Sequence, residues 1–145
     1  MAHTSTYLNF THQAEEAFLF YRSVFGGEFE GEIYRMGGIP ATEGFPPIPE
    51  DEKNLVMFIC LPILGGHKLC GSDVPESSGV RVEHGNSTYI MLAPDSRAEA
   101  DRLFQGLSEG GKIEMSMQDA FWGEYFGSFT DKYGIRWMIH TEAKA

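Results

Sequence analysis

Positive charge is scarce in this chain. Its 145 residues carry 11 Lys and Arg against 21 Asp and Glu, a formal net charge of −10 at pH 7 with a pI near 4.8. Nucleic-acid binders neutralise phosphates with clustered Lys and Arg, so that class is excluded, and the same balance argues against anionic membrane surfaces. The acidity reads as a solubilising surface or as a surface for a partner of opposite charge. Long apolar runs are missing as well: none approaches the roughly 20 residues of a membrane helix. The segment Met1-Ala-His-Thr-Ser-Thr6 lacks a basic region followed by an apolar stretch, so no signal peptide is expected. Cysteine is limited to Cys60 and Cys70, each inside an apolar, strand-like run. That usage fits reduced, buried thiols in a cytoplasmic protein better than a disulfide framework.

What the chain does contain is a repeat. Ala14-Glu15, Leu19-Phe20 and Gly26-Gly27 recur at one constant offset as Ala98-Glu99, Leu103-Phe104 and Gly110-Gly111. Each copy has an apolar run before it, Tyr7–Phe10 or Thr88–Leu92. Each then has helical spacing, a double glycine and a charged residue that opens a strand. A shared offset over so many positions implies an internally duplicated unit.

In the first copy Ala14, Ala17, Phe18, Tyr21, Val24 and Phe25 recur with a period near 3.6, the mark of an amphipathic helix. Thr11 is the expected N-cap, with Glu15 and Glu16 near the positive end of the helix dipole. In the second copy Ser96-x-x-Glu99 reads as a capping box, and Ala100, Leu103, Phe104 and Leu107 form the buried face. Gly26-Gly27 and Gly110-Gly111 supply the helix stops. Strands are expected at 28–36, 54–61 and 67–72, and again at 112–117, 124–130 and 135–141, with hairpins at Gly65-Gly66 and Asp131–Gly134. The expected fold is α+β, two tandem βαβββ modules. Module one spans residues 1–74 and module two 86–145, with a polar linker between. The Pro- and Gly-rich segment 37–53 has no counterpart in the second copy. A loop of that length either covers a site or is an inert insertion.

Glu15-Glu-Ala-x-x-Phe-Tyr-x-x-Val-Phe-Gly-Gly-Glu28, Gly71-Ser-Asp73 and Phe121-Trp-Gly-x-x-Phe-Gly-x-Phe-Thr-Asp-x-Tyr-Gly-Ile-x-Trp137 resemble the signatures of a known family. This is the PhnB-like branch of the glyoxalase/bleomycin-resistance (vicinal oxygen chelate) superfamily, and the likeness covers nearly the whole chain. The resemblance implies curled four-stranded sheets that enclose a cavity between modules, commonly in a homodimer. In metal-dependent members the cavity holds a divalent cation bound by His, Gln or Glu from the first and last strands of the modules. Here those positions fall on Tyr7 or Asn9, on Cys70, on Ser87 or Tyr89, and on Met138. Hard cations need carboxylate or imidazole ligands, and a thioether does not replace them. No cofactor is therefore expected. A strand slipped by two residues would bring in His140, and His67 is the other strand histidine that remains as a metal candidate.

Phe45 and Trp122 are candidates to line an apolar pocket. Phe126 reads as core, and Trp137 should point to the helix. Arg136 would then face the cavity, to hold an anionic group or to pair with a neighbouring Glu. Cys70, a candidate ligand contact, reads as a nucleophile that no nearby His or Lys pattern marks as activated, or as a buried structural thiol. Proteins of this branch sometimes carry a demethylubiquinone methyltransferase label, but the usual methyl-donor loop between a parallel strand and a helix is not in this sequence. Two functions follow. One is a protein that binds a small organic molecule without chemistry. The other is a lyase, isomerase or ring-opening dioxygenase with a divalent metal held through His67 or His140.

Overall fold

The computed structural model describes residues 2–39, 47–142 and 144. The chain divides into two compact units, Met1–Glu83 and His84–Ala145. The first contains β1 (Ser5–Phe10), α1 (Ala14–Phe25), β2 (Tyr34–Arg35), β3 (Val56–Pro62) and β4 (Lys68–Asp73). The second contains β5 (Ile90–Leu92), α2 (Arg97–Ser108), β6 (Lys112–Asp119), β7 (Tyr125–Thr130) and β8 (Arg136–Thr141). The sheets have matching orders, β1-β4-β3-β2 and β5-β8-β7-β6. In each, the first strand runs parallel to the last and the remaining pairs are antiparallel. This is the α+β fold of tandem βαβββ modules expected from the repeat.

Each helix buries its apolar stripe on one face of its own sheet. Ala14, Ala17, Phe18 and Tyr21 of α1 are inaccessible to solvent, and Phe18 meets Phe10 edge-on with centroids 6.2 Å apart. In the second unit Ala100, Leu103, Phe104 and Leu107 are buried, and the Phe104 ring stands 5.0 Å from Phe129. Apolar burial of this kind, and not helix propensity, holds twelve-residue helices in place.

The expected elements are corrected in two places. The strand expected at 28–36 shrinks to Tyr34–Arg35. Gly26, Gly27 and Gly31 all have positive φ, so the chain turns where a strand would run straight. Glu30 N–H still reaches Cys60 O at 2.8 Å. Thr11 does not cap α1, which starts at Ala14 after Gln13 and has no local side-chain cap. Asp73, at the end of β4, accepts from Ala14 N–H at 2.9 Å instead. The cap of α2 is local as read, with Ser96 Oγ accepting from Glu99 N–H at 3.1 Å. Among the described residues of segment 37–53 there are single 3-10 turns, at Met36–Gly38 and Glu50–Glu52. Phe45 lies outside the described residues.

Candidate functional site

A Cβ placed on Gly71 would meet Phe18 of α1 at 2.8 Å, and one on Gly127 would meet Phe104 of α2 at 2.9 Å. Those glycines therefore face the helices. Strand side chains alternate, so Cys70 and Ser72 in β4, and Phe126 and Ser128 in β7, face the other way. Cross-strand register extends each set. In unit one the face away from the helix carries Tyr7, Asn9, Phe58, Cys60, Cys70 and Ser72. In unit two it carries Met91, Phe126, Arg136, Met138 and His140.

The unit-two face falls into three zones. At one end Arg136 Nη1 donates to Glu114 Oε2 at 2.7 Å, and its Nε donates to Gly85 O at 2.9 Å. Its guanidinium stands 5.9 Å from the Tyr89 ring centre, and Tyr89 Oη donates to Glu114 Oε1 at 3.0 Å. Of the two roles expected for Arg136, the ion pair is the one seen. The middle is soft and apolar: Met138 lies between Met91 on β5 and Ser128 on β7. At the far end His140 stands across from Phe126. His140 Nδ1 is hydrogen-bonded to the Glu124 carboxylate. Trp122 leans on Phe126 with centroids 5.8 Å apart, and Phe121 stands edge-on to Trp122 at 5.1 Å. Trp122 remains 51% exposed and Phe121 97% exposed. Phe126, read as core, thus belongs to the aromatic end of this face and supports Trp122. His140 also lines a recess of about 480 Å3 with Ala93, Pro94, Asp95, Thr141 and Glu142.

The unit-one face is built around Tyr7. Its hydroxyl donates to Ser72 Oγ at 2.8 Å and its ring lies 6.3 Å from Phe58. Asn9 sits beside Ser72 and is exposed. Cys60 and Cys70 are direct cross-strand partners with Sγ atoms 3.0 Å apart. Burial first, then the hydrogen bond from Cys70, pushes the Cys60 thiol up to about 12. Nearby, Lys68 Nζ donates to Glu30 Oε1 at 2.8 Å. That bond lowers the Glu30 pKa and raises that of Lys68. His67 does not reach this face: its Nε2 is bonded to Thr6 Oγ1 at 2.8 Å. Thr6 pairs with Leu69, whose side chain is fully buried on the helix side.

Register also settles which residue of β5 stands opposite Met138. It is Met91, where Ser87 or Tyr89 was expected. Ser87 is exposed ahead of the strand, and Tyr89 sits at the Arg136 end. The signal was in the repeat, since the offset that joins Ala14 to Ala98 carries Tyr7 onto Met91. Glu114, Glu124 and Ser128 carried no sequence signal, because bulges in β6 and the β6–β7 connection bring the two acids to the face. The central donors of the two faces are thus a phenol and a thiol in unit one (Tyr7, Cys70) and two thioethers in unit two (Met91, Met138). Neither pair fits a hard divalent cation. Among the described residues no three His, Cys, Asp or Glu converge on one point, and no helix is long and apolar enough to cross a membrane.

Comparison with known proteins gives a consistent picture. A family model described as Glyoxalase/Bleomycin resistance protein/Dioxygenase superfamily matches residues 3–139. Protein YjdN of Escherichia coli (strain K12) is 29% identical over 139 residues, which is 94% of this chain and 92% of that protein. The crystal structure of PA1353 from Pseudomonas aeruginosa superposes with a TM-score of 0.84 at 33% identity, over 99% of this chain and 100% of that one. A Bacillus cereus PhnB protein, titled a putative 3-demethylubiquinone-9 3-methyltransferase, shares the fold with a TM-score of 0.72 at 23% identity, over 97% and 99% of the two chains.

Proposed function

Since the chain belongs to the glyoxalase/bleomycin resistance protein/dioxygenase superfamily, we propose that it is a PhnB-like binding protein for a small, neutral organic molecule. The observation that carries this reading is the exposed aromatic and thioether surface opposite the helices. In the second unit Trp122 is 51% exposed and Met91 56%; in the first, Tyr7 is 52% exposed and donates to Ser72. Of the cations that register places on the unit-two face, Arg136 is already held by Glu114 and Gly85, and Lys112, across from Thr130, lies exposed on the edge strand. An anionic ligand therefore gains little from Arg136. The ligand stacks on Trp122 and Phe126 and slides over Met91 and Met138, whose unbranched thioethers adapt to shape. In this reading the protein is a cytoplasmic homodimer and needs no cofactor.

Tryptophan fluorescence tests it, because Trp137 is fully buried and Trp122 is not. A panel of neutral aromatic compounds should give saturable quenching. Trp122→Ala should weaken binding roughly tenfold or more with unchanged unfolding temperature. No saturable binder in such a panel, or binding indifferent to Trp122→Ala, rejects the proposal.

One observation favours the second reading, a metal-dependent lyase, isomerase or dioxygenase: Glu124 and His140 put a carboxylate and an imidazole side by side. Elemental analysis of protein purified without added metal separates the two readings. We expect well under one divalent ion per chain, and only slightly greater affinity in Met138→Glu. One metal per chain, lost in His140→Ala, makes the enzyme the better reading.

A further inference from the structure

Unit one contains a pair of thiols that ligand stacking does not use. Cys60 and Cys70 face each other across β3 and β4. They are free and only 4% and 7% exposed. Partners of an antiparallel pair have Cα atoms about 4.5 or 5.5 Å apart, and a disulfide spans roughly 4.4 to 6.8 Å. Direct cross-strand partners therefore lie within a disulfide's reach. The sulfurs are already 3.0 Å apart, with Cys70 donating to Cys60. Cys60 in turn donates to Glu30 Oε2 at 3.8 Å, and Glu30 is held by Lys68. The two thiols form a short proton chain that ends on a carboxylate.

We propose that Cys60 and Cys70 are a reversible dithiol–disulfide site whose oxidant is a small hydroperoxide. One sulfur, as its thiolate, attacks the peroxide oxygen. The O–O bond breaks, and a sulfenic acid and one water (or alcohol) form. The second sulfur attacks the sulfenic sulfur, the S–S bond forms, the S–O bond breaks and a second water leaves. Two electrons pass from the sulfurs to the peroxide, and both thiol protons end in the departing molecules. Burial holds the thiolate fraction low, so the reaction is slow and excludes bulky disulfides. Closing so short a loop constrains the unfolded chain little, which leaves the bond open to reduction. Oxidation also removes the Cys60 proton that Glu30 accepts. The face around Tyr7, the register partner of Cys70, then exists in two states.

The test treats native, reduced protein with hydrogen peroxide, quenches in acid, and alkylates under denaturing conditions. Mass spectrometry should find two alkylated cysteines before oxidation and none after. A Cys60–Cys70 cross-linked peptide should appear, and dithiothreitol should restore both thiols. Cys60→Ser and Cys70→Ser should each abolish the cross-link and leave the other cysteine uncross-linked. The wild-type measurement stands whether or not these variants fold. Two thiols still free after peroxide, a loss that dithiothreitol does not reverse, or a disulfide found only between chains overturns the proposal. None of these outcomes depends on a ligand being found.

Discussion

Two buried carboxylates organise the unit cores. Asp131, 3% exposed, accepts from the indole Nε1 of Trp137 at 2.9 Å and from the amides of Tyr133 and Ile135 at 2.8 and 3.0 Å. It builds the β7–β8 turn and anchors the largest core side chain at once. Removing the acceptor takes this partner from three buried donors. A buried donor that loses its acceptor costs about 1–3 kcal/mol, and other contacts and entry of water recover part of the total. Asp131→Ala should lower unfolding free energy by about 3 kcal/mol or more in a urea titration. A loss under about 1 kcal/mol means that water or another acceptor replaces the carboxylate. At this scale the sequence set the direction of a side chain more readily than its partner. Arg136 was legible as facing away from the helix, and its partner Glu114 was not.

The helices show how similar elements are completed differently. The α2 cap is local, and its Ser96-x-x-Glu99 signature could be read directly. The α1 cap is tertiary: Asp73 lies 59 residues from Ala14 in the chain, and its other oxygen takes the Val56 amide at 2.9 Å. No local pattern reports such a bond. Ser96→Ala should cost about 1 kcal/mol. Asp73→Asn sets an amide donor against an amide donor and removes charge-assisted bonds, so it should cost about 2–3 kcal/mol. Denaturation midpoints of the two variants compare them, and equal losses contradict the tertiary cap. The faces of Arg136 and Trp137 were also legible, because alternation along one strand sets them apart, whereas those of Phe126 and His67 were not. The short β2 was not: positive φ at Gly31 interrupts a stretch whose composition reads as strand.

For the whole chain, large apolar groups stay exposed: Tyr34 at 51%, Met91 at 56%, Ile113 at 50% and Met115 at 43%, besides Tyr7 and Trp122. Together with open sheet edges, these ask for cover. We expect sedimentation velocity at micromolar concentration to give twice the 16.2 kDa chain mass. A strict monomer at that concentration contradicts the homodimer.

The duplication, the helix faces, the hairpins and the family signatures were all determined by the sequence alone, because each depends on periodicity or on residues close together in the chain. The tertiary structure decided the rest. It paired Met91 with Met138, brought Cys60 against Cys70, sent His67 to the helix side and gave α1 its cap from Asp73. Those outcomes depend on strand register and on bonds between distant segments. A one-residue shift of register exchanges the faces of a strand, and no local pattern records which register wins.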